Sequence, residues 1–319
     1  MTDRMADSHE EIDCAVAILR SGGLVAFATE TVYGLGADAT RSEAVERIYR
    51  AKARPGTNPL IVHIADVNAA RRYARRWPEA AEKLAQRFWP GPLTLVVPKS
   101  SSIVDTATAG LDSVGLRAPN HPLALELLRR FNGAIAAPSA NRSNRVSPTT
   151  AEHVRQELGD AVDLILDGGP CQVGIESTVL SLVAEPTILR PGGVSQEQIE
   201  SVIGAVKTFS KAVDATRPAA SPGQHAVHYS PVTPTFRFEA VDRQNVASSD
   251  RDIILAITPA VERSIVMPSN AIDYTRRLYA ALHEADAGGF DRILIELPPN
   301  YPQWQAVRDR IHRAAQPLS

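Results

Sequence analysis

The apolar residues of this chain come in short runs, and each run has the length of a β-strand. Examples are LVAFA at 24–28, LIVHI at 60–64 and LTLVV at 93–97. No run approaches the ~18–20 apolar residues that a helix needs to cross a bilayer, so we expect no membrane association. Helical patterns lie between the runs, and this alternation predicts an α/β fold.

Some predicted strands follow one another directly, which favours a mixed sheet over a purely parallel one. Two helices are expected to begin at capping-box pairs: Ser8 with Glu11, for a helix ending near Gly22, and Thr40 with Glu43, for one ending near Lys52. Further strands are predicted at 113–117, 134–138, 163–167 and 178–182, and further helices near 79–88, 121–131, 149–158 and 195–204.

A proline-rich segment divides the chain. The residues KTFSKAVDATRPAASPGQHAVHYSPVTP, at 207–234, show little apolar periodicity and are typical of a linker. We therefore predict a first domain over residues 1–207, a linker over 208–234 and a small α/β domain over 235–319. In the last, a βαβ-type unit is expected, with strands at 235–239, 253–257 and 292–296 and helices near 272–285 and 301–314.

The charge balance and the cysteines restrict the function classes. The chain has 319 residues, of which 34 are basic and 36 acidic, for a net charge of −2. A protein held mainly by a nucleic-acid backbone needs a basic excess, although a local basic site stays open. Cys14 and Cys171 form no CxxC pair, and the N-terminal MTDRMADSHEE does not resemble a signal peptide. We therefore expect a cytoplasmic location and no thiolate metal site.

Familiar cofactor motifs do not account for the sequence. GLGADA at 34–39 matches a dinucleotide fingerprint, but TETVY separates it from the strand and no acidic residue lies ~20 positions on. The chain contains no P-loop, no G-x-S-x-G elbow and no metal-ligand spacing. RRYARRW at 71–77 is interpreted as a solvated helix face, with an RNA contact as the alternative.

Four loop-rich segments at strand ends carry small, hydroxylic and basic residues, with no carboxylate pair or nucleophile–base dyad. Such an inventory is typical of a site that positions anions. The alternative is that Gly, Pro, Ser and Asn only make turns, but their occurrence in all four segments favours a site. The segments are TETVYGLGADA (29–39), KARPGTNPL (52–60), APSANRSNRVSPT (137–149), and GIESTVL (174–180) with ILRPGG (188–193).

These strings, read in order, resemble the YrdC family of threonylcarbamoyl-AMP synthases. The resemblance runs from about residue 12 to 205 and includes GGLVAFATETVYGLGADA, KARPGTNPLIVHI, FWPGPLTLVV, GLRAPNHPLA and APSANRSNRVSPT. SPGQHAVHYSP resembles the linker of the family's long, two-domain form, and RRLYAALHEADAGGFDRILIE at 276–296 resembles its second domain. The implied fold is a twisted mixed sheet around a concave site, followed by a smaller Rossmann-like α/β domain.

The resemblance implies an enzyme, a nucleotidyltransferase that makes L-threonylcarbamoyladenylate and pyrophosphate from L-threonine, bicarbonate and ATP. Partner enzymes would then transfer the threonylcarbamoyl group to tRNAs that read ANN codons, with at most a weak tRNA contact here. Mg²⁺ is expected with ATP, and because no carboxylate cage is visible, the phosphates would supply most of its ligands.

The resemblance also implies roles for individual residues. Lys52 and Arg54 would bind the triphosphate and act as the catalytic residues, and Arg117 is a natural clamp for a carboxylate. The threonine-binding positions are Thr31, His63, Arg117 and Thr178, and the ATP-binding positions are Lys52, Arg54, Asn58, Thr108, Ser139, Asn141, Ser147, Arg190 and Tyr229. Tyr229 would fold over the nucleotide as part of a lid.

Alternatives remain for single residues and for the whole chain. His63 would otherwise be a core histidine, Arg117 would pair with an acid near the sheet edge, and Tyr229 would anchor the linker. Gln224 and Ala226 depart from the family's usual linker. An RNA-binding module without chemistry is the second hypothesis. A carbamoyltransferase of hydrogenase maturation is nearly excluded, because two isolated cysteines cannot form its zinc sites.

Overall fold

The computed structural model describes residues 2–209, 228–246, 249–257 and 263–318. These residues form two sheets: one mixed, with ten strands between residues 25 and 208, and one parallel, with five strands between residues 235 and 317. The α/β class and the mixed first sheet agree with the prediction. The predicted segment SPGQHAVHYSP lies outside the described residues up to position 227.

The elements alternate along the chain as the sequence indicates. The helices are α1 Thr2–Arg20, α2 Ser42–Lys52, α3 Val67–Tyr73, α4 Glu79–Phe88, α5 Asp105–Thr108, α6 Pro122–Phe131, α7 Ala151–Leu158, α8 Gln196–Ile203, α9 Ala271–Ala287 and α10 Gln305–Ala314. Short 3-10 turns lie at Gly159–Ala161, Ala240–Asn245 and Pro302–Trp304. None of the described helices combines the length and the apolarity that crossing a membrane requires.

The first sheet holds β1 Val25–Phe27, β2 Gly34–Asp38, β3 Ile61–His63, β4 Leu93–Pro98, β5 Ser113–Arg117, β6 Ile135–Ala136, β7 Leu164–Leu166, β8 Thr178–Ser181, β9 Thr187–Arg190 and β10 Lys207–Thr208. Their order is β10-β9-β8-β4-β5-β3-β6-β2-β1-β7. The second sheet holds β11 Thr235–Phe238, β12 Asp252–Ala256, β13 Ser264–Val266, β14 Arg292–Glu296 and β15 Gln316–Pro317, in the order β13-β12-β14-β11-β15.

Helices cover both faces of the first sheet. Val25 and Phe27 of β1 pack with residues of α1 and α6, whereas Ala26 between them belongs to a second core cluster with residues of α2. This two-residue alternation is the geometry of a strand buried on both sides. Because both faces of this strand are buried, nearly every residue of the run at 24–28 is apolar.

The structure corrects several predicted boundaries. α1 begins at Thr2, so Ser8 lies inside the helix. The Thr40 hydroxyl and backbone N–H both donate to Asp38, while Arg41 precedes the first residue of α2. Thr40 is therefore part of a turn and does not cap the helix.

Two segments predicted as loops contain strands. GLGAD forms β2, antiparallel to β1, and TILR forms β9. A Cβ on Gly36 would lie 2.9 Å from both Phe27 and Ile135, so this strand needs glycine for close packing against its neighbours. Glycine-rich strands lack the β-branched signal on which the prediction rests.

Candidate active site

A cavity of about 40 Å³ lies at the strand ends of the first sheet, beneath His228 and Tyr229. The loops that follow β1 and β6, the last residues of β3, β5 and β9, and the loop that precedes β8 supply most of its wall. The lining residues are Thr29, Thr31, Val32, Gly34, Arg54, Ile61, His63, Arg117, Ala137, Pro138, Ser139, Glu176, Ser177, Arg190, His228 and Tyr229. All four loop-rich segments of the sequence therefore converge on one place.

Sheet topology explains why His63 and Arg117 meet at this cavity. Each is the last residue of its strand, and β3 and β5 are parallel neighbours whose register pairs His63 with Arg117. Parallel neighbours end at the same edge of a sheet, where ligands of α/β proteins bind. Burial, together with the charge of Arg117, lowers the pKa of His63 well below its usual value. The imidazole is therefore neutral near pH 7.

Arg117 forms a buried ion pair with Glu30. Their side chains are both 4% exposed, and Arg117 Nη2 lies 2.8 Å from Glu30 Oε1. Arg117 Nε donates to the backbone oxygen of Gly91 at 3.3 Å. Among the described residues, neither carboxylate oxygen of Glu30 accepts a hydrogen bond of good geometry. This pair presents one positive and one negative group with hydrogen-bonding capacity left over.

Lys52 lies behind the cavity wall and supports the loop that carries Ser139. Its Nζ donates to the backbone oxygen of Ser139 at 2.6 Å and to that of Asn141. Burial, with Arg54 nearby, lowers the pKa of Lys52 well below its ordinary value. An anion beside Nζ would offset that cost.

Arg54 and Arg190 add two further guanidinium groups to the cavity wall. Arg54 Nη2 donates to the Pro59 backbone oxygen at 3.1 Å, and burial lowers the pKa of Arg54 to about 10. Arg190, at the end of β9, donates from Nη2 to the Ser177 backbone oxygen at 3.0 Å. Both contacts are with backbone carbonyl oxygens. Phosphate oxygens could compete for these donors.

Glu176 is the most fully satisfied acid on the cavity wall. It accepts from Ser147 Oγ at 2.6 Å, from Tyr279 OH at 3.0 Å and from Arg310 Nε at 2.8 Å. Burial alone would raise its pKa, but the charges of Arg310 and Arg190, with the Ser147 and Arg310 hydrogen bonds, lower it to about 2. Glu176 is therefore ionised under ordinary conditions.

The end of the linker closes the cavity and is held from both domains. His228 N donates to the backbone oxygen of Arg313 at 3.1 Å, and Ser230 N donates to that of Asn144 at 2.8 Å. Tyr229 between them has a φ of 64° and is 1% exposed. Within the described ranges, the Tyr229 hydroxyl and His228 Nδ1 have no hydrogen-bond partner. Buried polar atoms of this kind mark a place where a polar ligand is expected.

Seven of the thirteen sequence-predicted residues line the cavity, and six do not. The lining residues are Thr31, Arg54, His63, Ser139, Arg117, Arg190 and Tyr229; the others are Lys52, Asn58, Thr108, Asn141, Ser147 and Thr178. Lys52, Asn141 and Ser147 adjoin the wall through the hydrogen bonds above. Thr178 exchanges hydrogen bonds with Val194, and Thr108 Oγ1 donates to the Leu111 backbone oxygen.

Sequence reasoning overlooked two carboxylates and one histidine. It found no carboxylate pair, yet Glu30 and Glu176 are both buried at the site, and His228 closes it. Glu30 lies within TETVY and Glu176 within GIEST. A glutamate inside each of these polar segments is the sequence feature that could have indicated the two carboxylates. The Arg117 alternative, an acid near the sheet edge, is present as Glu30.

The basic run at 71–77 lies elsewhere. Arg71 and Arg72 are exposed at the end of α3, and Arg71 pairs with Glu82 of α4 at 2.8 Å. None of the run lines the cavity. Only the residues up to Tyr73 are helical, and Tyr73, Ala74 and Trp77 pack against the core, so the solvated helix face is limited to Arg71 and Arg72.

Comparisons with known proteins cover nearly the whole chain. Residues 17–192 match the Sua5/YciO/YrdC family model, described as "Telomere recombination", and residues 194–316 match the model of the "Threonylcarbamoyl-AMP synthase, C-terminal domain". The threonylcarbamoyl-AMP synthase of Bacillus subtilis is 40% identical over 99% of this chain and 96% of its own length. That of Pyrococcus abyssi is 40% identical over 96% and 94%.

A solved structure extends the likeness to the fold. The crystal structure of Pyrococcus abyssi Sua5 complexed with L-threonine superposes with a TM-score of 0.86 at 37% sequence identity. The superposition covers 96% of this chain and 95% of that one. Both domains are therefore shared.

Proposed function

This chain belongs to the Sua5/YciO/YrdC family in its two-domain form, and we propose that it is a threonylcarbamoyl-AMP synthase. It would convert L-threonine, bicarbonate and ATP into L-threonylcarbamoyladenylate and pyrophosphate, as a nucleotidyltransferase. The observation that carries the proposal is a buried cavity lined by Arg117, His63, Arg54 and Arg190, with Glu30 paired to Arg117. Such a site combines groups for an amino acid with groups for a polyphosphate.

The Glu30–Arg117 pair matches the two charges of free threonine. The substrate carboxylate would bind the Arg117 guanidinium, and the substrate amine would face the Glu30 carboxylate. Neutral His63 beside them accepts or donates a hydrogen bond without adding charge. Thr31 and Thr178 complete the threonine positions that the resemblance implies.

Three cations serve the triphosphate in this proposal. Lys52 and Arg54 would stabilise the charge that develops as pyrophosphate leaves, and Arg190 would bind the nucleotide beside them. Mg²⁺ would enter with ATP as part of the substrate. The remaining nucleotide positions are Asn58, Thr108, Ser139, Asn141, Ser147 and Tyr229.

The proposed reaction depends on aligning the substrates and does not require a covalent intermediate with the enzyme. The threonine nitrogen takes up the carbon of bicarbonate to give a carbamate, with loss of water. A carbamate oxygen then bonds to the α-phosphorus, while the bond from that phosphorus to the β-phosphate bridging oxygen breaks and pyrophosphate departs. Phosphoryl transfer of this type depends on positioning and charge stabilisation.

The cover over the site must move for this reaction. A water molecule needs roughly 10–15 Å³ of such space, so a cavity of about 40 Å³ admits neither threonine nor ATP. His228 and Tyr229 form part of the wall of this cavity. We infer that the end of the linker opens for entry and closes again to exclude water.

The direct test is pyrophosphate release by the purified chain. With ATP, Mg²⁺, bicarbonate and threonine present, release is expected only when threonine is added, and threonylcarbamoyl-AMP should be detected by mass spectrometry. RNA binding without threonine-dependent release would instead support the RNA-binding module. The product is expected to be consumed by enzymes that transfer the threonylcarbamoyl group to tRNA.

A variant tests the triphosphate assignment. Lys52→Ala should lower kcat by about 10²–10³-fold, because a buried charge that stabilises the transition state is lost. Lys83→Ala is the matched control, since Lys83 is exposed and, in the part of the chain that the structure describes, its ion pair is with Glu79 on the same helix. Equal turnover of Lys52→Ala and the parent would remove Lys52 from the site.

A further inference from the structure

Arg310, on helix α10 of the second domain, reaches the active-site wall of the first domain. Its side chain is fully buried, and its Nε donates to Glu176 Oε2 at 2.8 Å. Its Nη2 donates to the backbone oxygen of Pro191 at 2.9 Å, directly after Arg190. The remaining nitrogen, Nη1, donates to Asp309 at 2.6 Å. Every nitrogen of the guanidinium is therefore used.

The same guanidinium also supports the cover of the site. Its central carbon lies 5.1 Å from the centroid of the Tyr229 ring, within the range of a cation–π contact. Tyr279 of the second domain flanks Tyr229 at 5.7 Å between ring centroids and donates to Glu176. Glu176 and Tyr229, both on the cavity wall, are thus held from the second domain.

We propose that Arg310 is a positioning residue for the reaction: it orients Glu176 and the Tyr229 ring, so that the second domain completes the site of the first. The inference rests on the proposed function. It gives the second domain a defined part in the reaction, through contacts with Glu176, Pro191 and Tyr229. Arg310 itself does not line the cavity and need not touch substrate.

A merely structural role would make the same contacts, so the test needs a matched control on the same helix. Arg308 provides one. Its Nη2 donates to Glu239 at 2.9 Å and its Nη1 to the backbone oxygen of Pro298, both within the second domain. Arg308→Met therefore removes a paired arginine from α10 without touching the first domain.

The first measurement is steady-state kinetics of threonine-dependent pyrophosphate release. Arg310→Met should lower kcat/KM for ATP by roughly 10–100-fold, the usual cost of losing a group that orients a binding residue. Arg310→Lys should recover part of that loss, because it keeps the charge but cannot make three separate contacts. Arg308→Met should stay within about twofold of the parent. A parental kcat/KM in Arg310→Met, or an equal loss in Arg308→Met, would overturn the inference.

The second measurement is the pH profile of kcat/KM. Without Arg310, Glu176 still faces Arg190, Tyr229, Tyr279 and His228, but it loses the nearest positive charge. The low-pH limb of activity should therefore move to higher pH in Arg310→Met and stay in place in Arg308→Met. An unmoved limb in Arg310→Met would contradict a role through Glu176.

The third measurement separates this inference from the proposed function. The dissociation constant of ATP, measured by calorimetry, should rise about tenfold in Arg310→Met whether or not the chain turns over. An inactive parent that binds ATP would reject the synthase reaction, whereas an unchanged dissociation constant would reject the role of Arg310. If Arg310→Met does not fold, Arg310→Lys carries all three measurements, with a smaller expected loss in each.

Discussion

Two buried carboxylate–arginine pairs border the cavity, and they differ in how well each is satisfied. Glu30–Arg117 lies within the first domain, whereas Glu176–Arg310 joins the first domain to the second, and both pairs have a shortest N–O distance of 2.8 Å. Glu176 accepts two further hydrogen bonds, from Ser147 and Tyr279. In the described structure, neither carboxylate oxygen of Glu30 accepts a hydrogen bond of good geometry.

The difference separates a binding site from its support. Burying an ion pair is costly unless the remaining lone pairs and protons find partners. The Glu176–Arg310 pair meets that condition within the protein, so it can stabilise and orient its surroundings. The Glu30–Arg117 pair does not, and a zwitterionic ligand would supply the missing partners. The difference supports the substrate-binding role proposed for Glu30–Arg117 and the positioning role proposed for Glu176–Arg310.

The largest expected effect comes from removing the arginine of the less satisfied pair. Arg117→Met should lower kcat/KM for threonine by about a thousandfold, because losing one partner of a buried charge contact costs roughly 2–5 kcal/mol. KM for ATP should change much less. The measurement is pyrophosphate release at varied threonine and fixed ATP.

Arg47→Met is the control for Arg117. Arg47 pairs with Asp163 at the surface, with both side chains 38% exposed, and such pairs contribute little. Activity near that of the parent is expected. Comparable losses for threonine and for ATP in Arg117→Met would mean that Arg117 holds the site together instead of binding threonine.

The second prediction concerns stability, for which we expect the larger loss at the Glu176–Arg310 pair. Glu176→Gln should lower the free energy of unfolding by about 3 kcal/mol at pH 7, because an amide nitrogen cannot accept from the surrounding donors. Glu30→Gln should cost at least about 1 kcal/mol less, since its carboxylate gives up fewer hydrogen bonds. Urea denaturation measures both, and an equal cost would refute the distinction.

The pH dependence of Glu176→Gln follows from the same contacts. The folded-state pKa of Glu176 is about 2, below the ordinary 4.5 of a glutamate. Its stabilisation is therefore complete above pH 4.5 and is lost as the pH falls through 2. The difference in the free energy of unfolding between the parent and Glu176→Gln should therefore decrease as the pH falls from 4.5 to 2.

Much of the fold could be predicted because strands and helices have a local signature. Apolar runs located β1, β3, β4 and β5, and amphipathic spacing located α4 and α6. β2 was missed because its glycines serve close packing and carry no strand signal. Capping-box spacing placed two helix starts wrongly, because Ser8 and Thr40 fit the pattern without capping.

The site was predictable residue by residue but not as an arrangement. Multi-residue strings identified Arg117 and His63, yet their meeting depends on β3 and β5 being parallel neighbours, which no local pattern specifies. Arg310 could not be found at all. It lies 134 residues from Glu176 in the chain, and an arginine on an amphipathic helix is ordinarily solvated.

The third and smallest predicted effect concerns a contact between the domains that has no charge pairing. His153 of α7 stacks on His283 of α9, with ring centroids 3.9 Å apart. Burial, with His153 nearby, lowers the pKa of His283 to about 4, although Asp286 faces it and opposes the shift. The contact is therefore stable only while both rings are neutral.

Because the pKa of His283 is lower in the folded state than the ordinary 6.5, its share of stability is present above pH 6.5 and decreases as the pH falls to 4. The free energy of unfolding should fall by about 2 kcal/mol across that interval. His283→Gln should flatten this part of the profile, and His312→Gln, at an exposed position of α10, should leave it unchanged. A parental slope in His283→Gln would show that the histidine stack makes no pH-dependent contribution to stability.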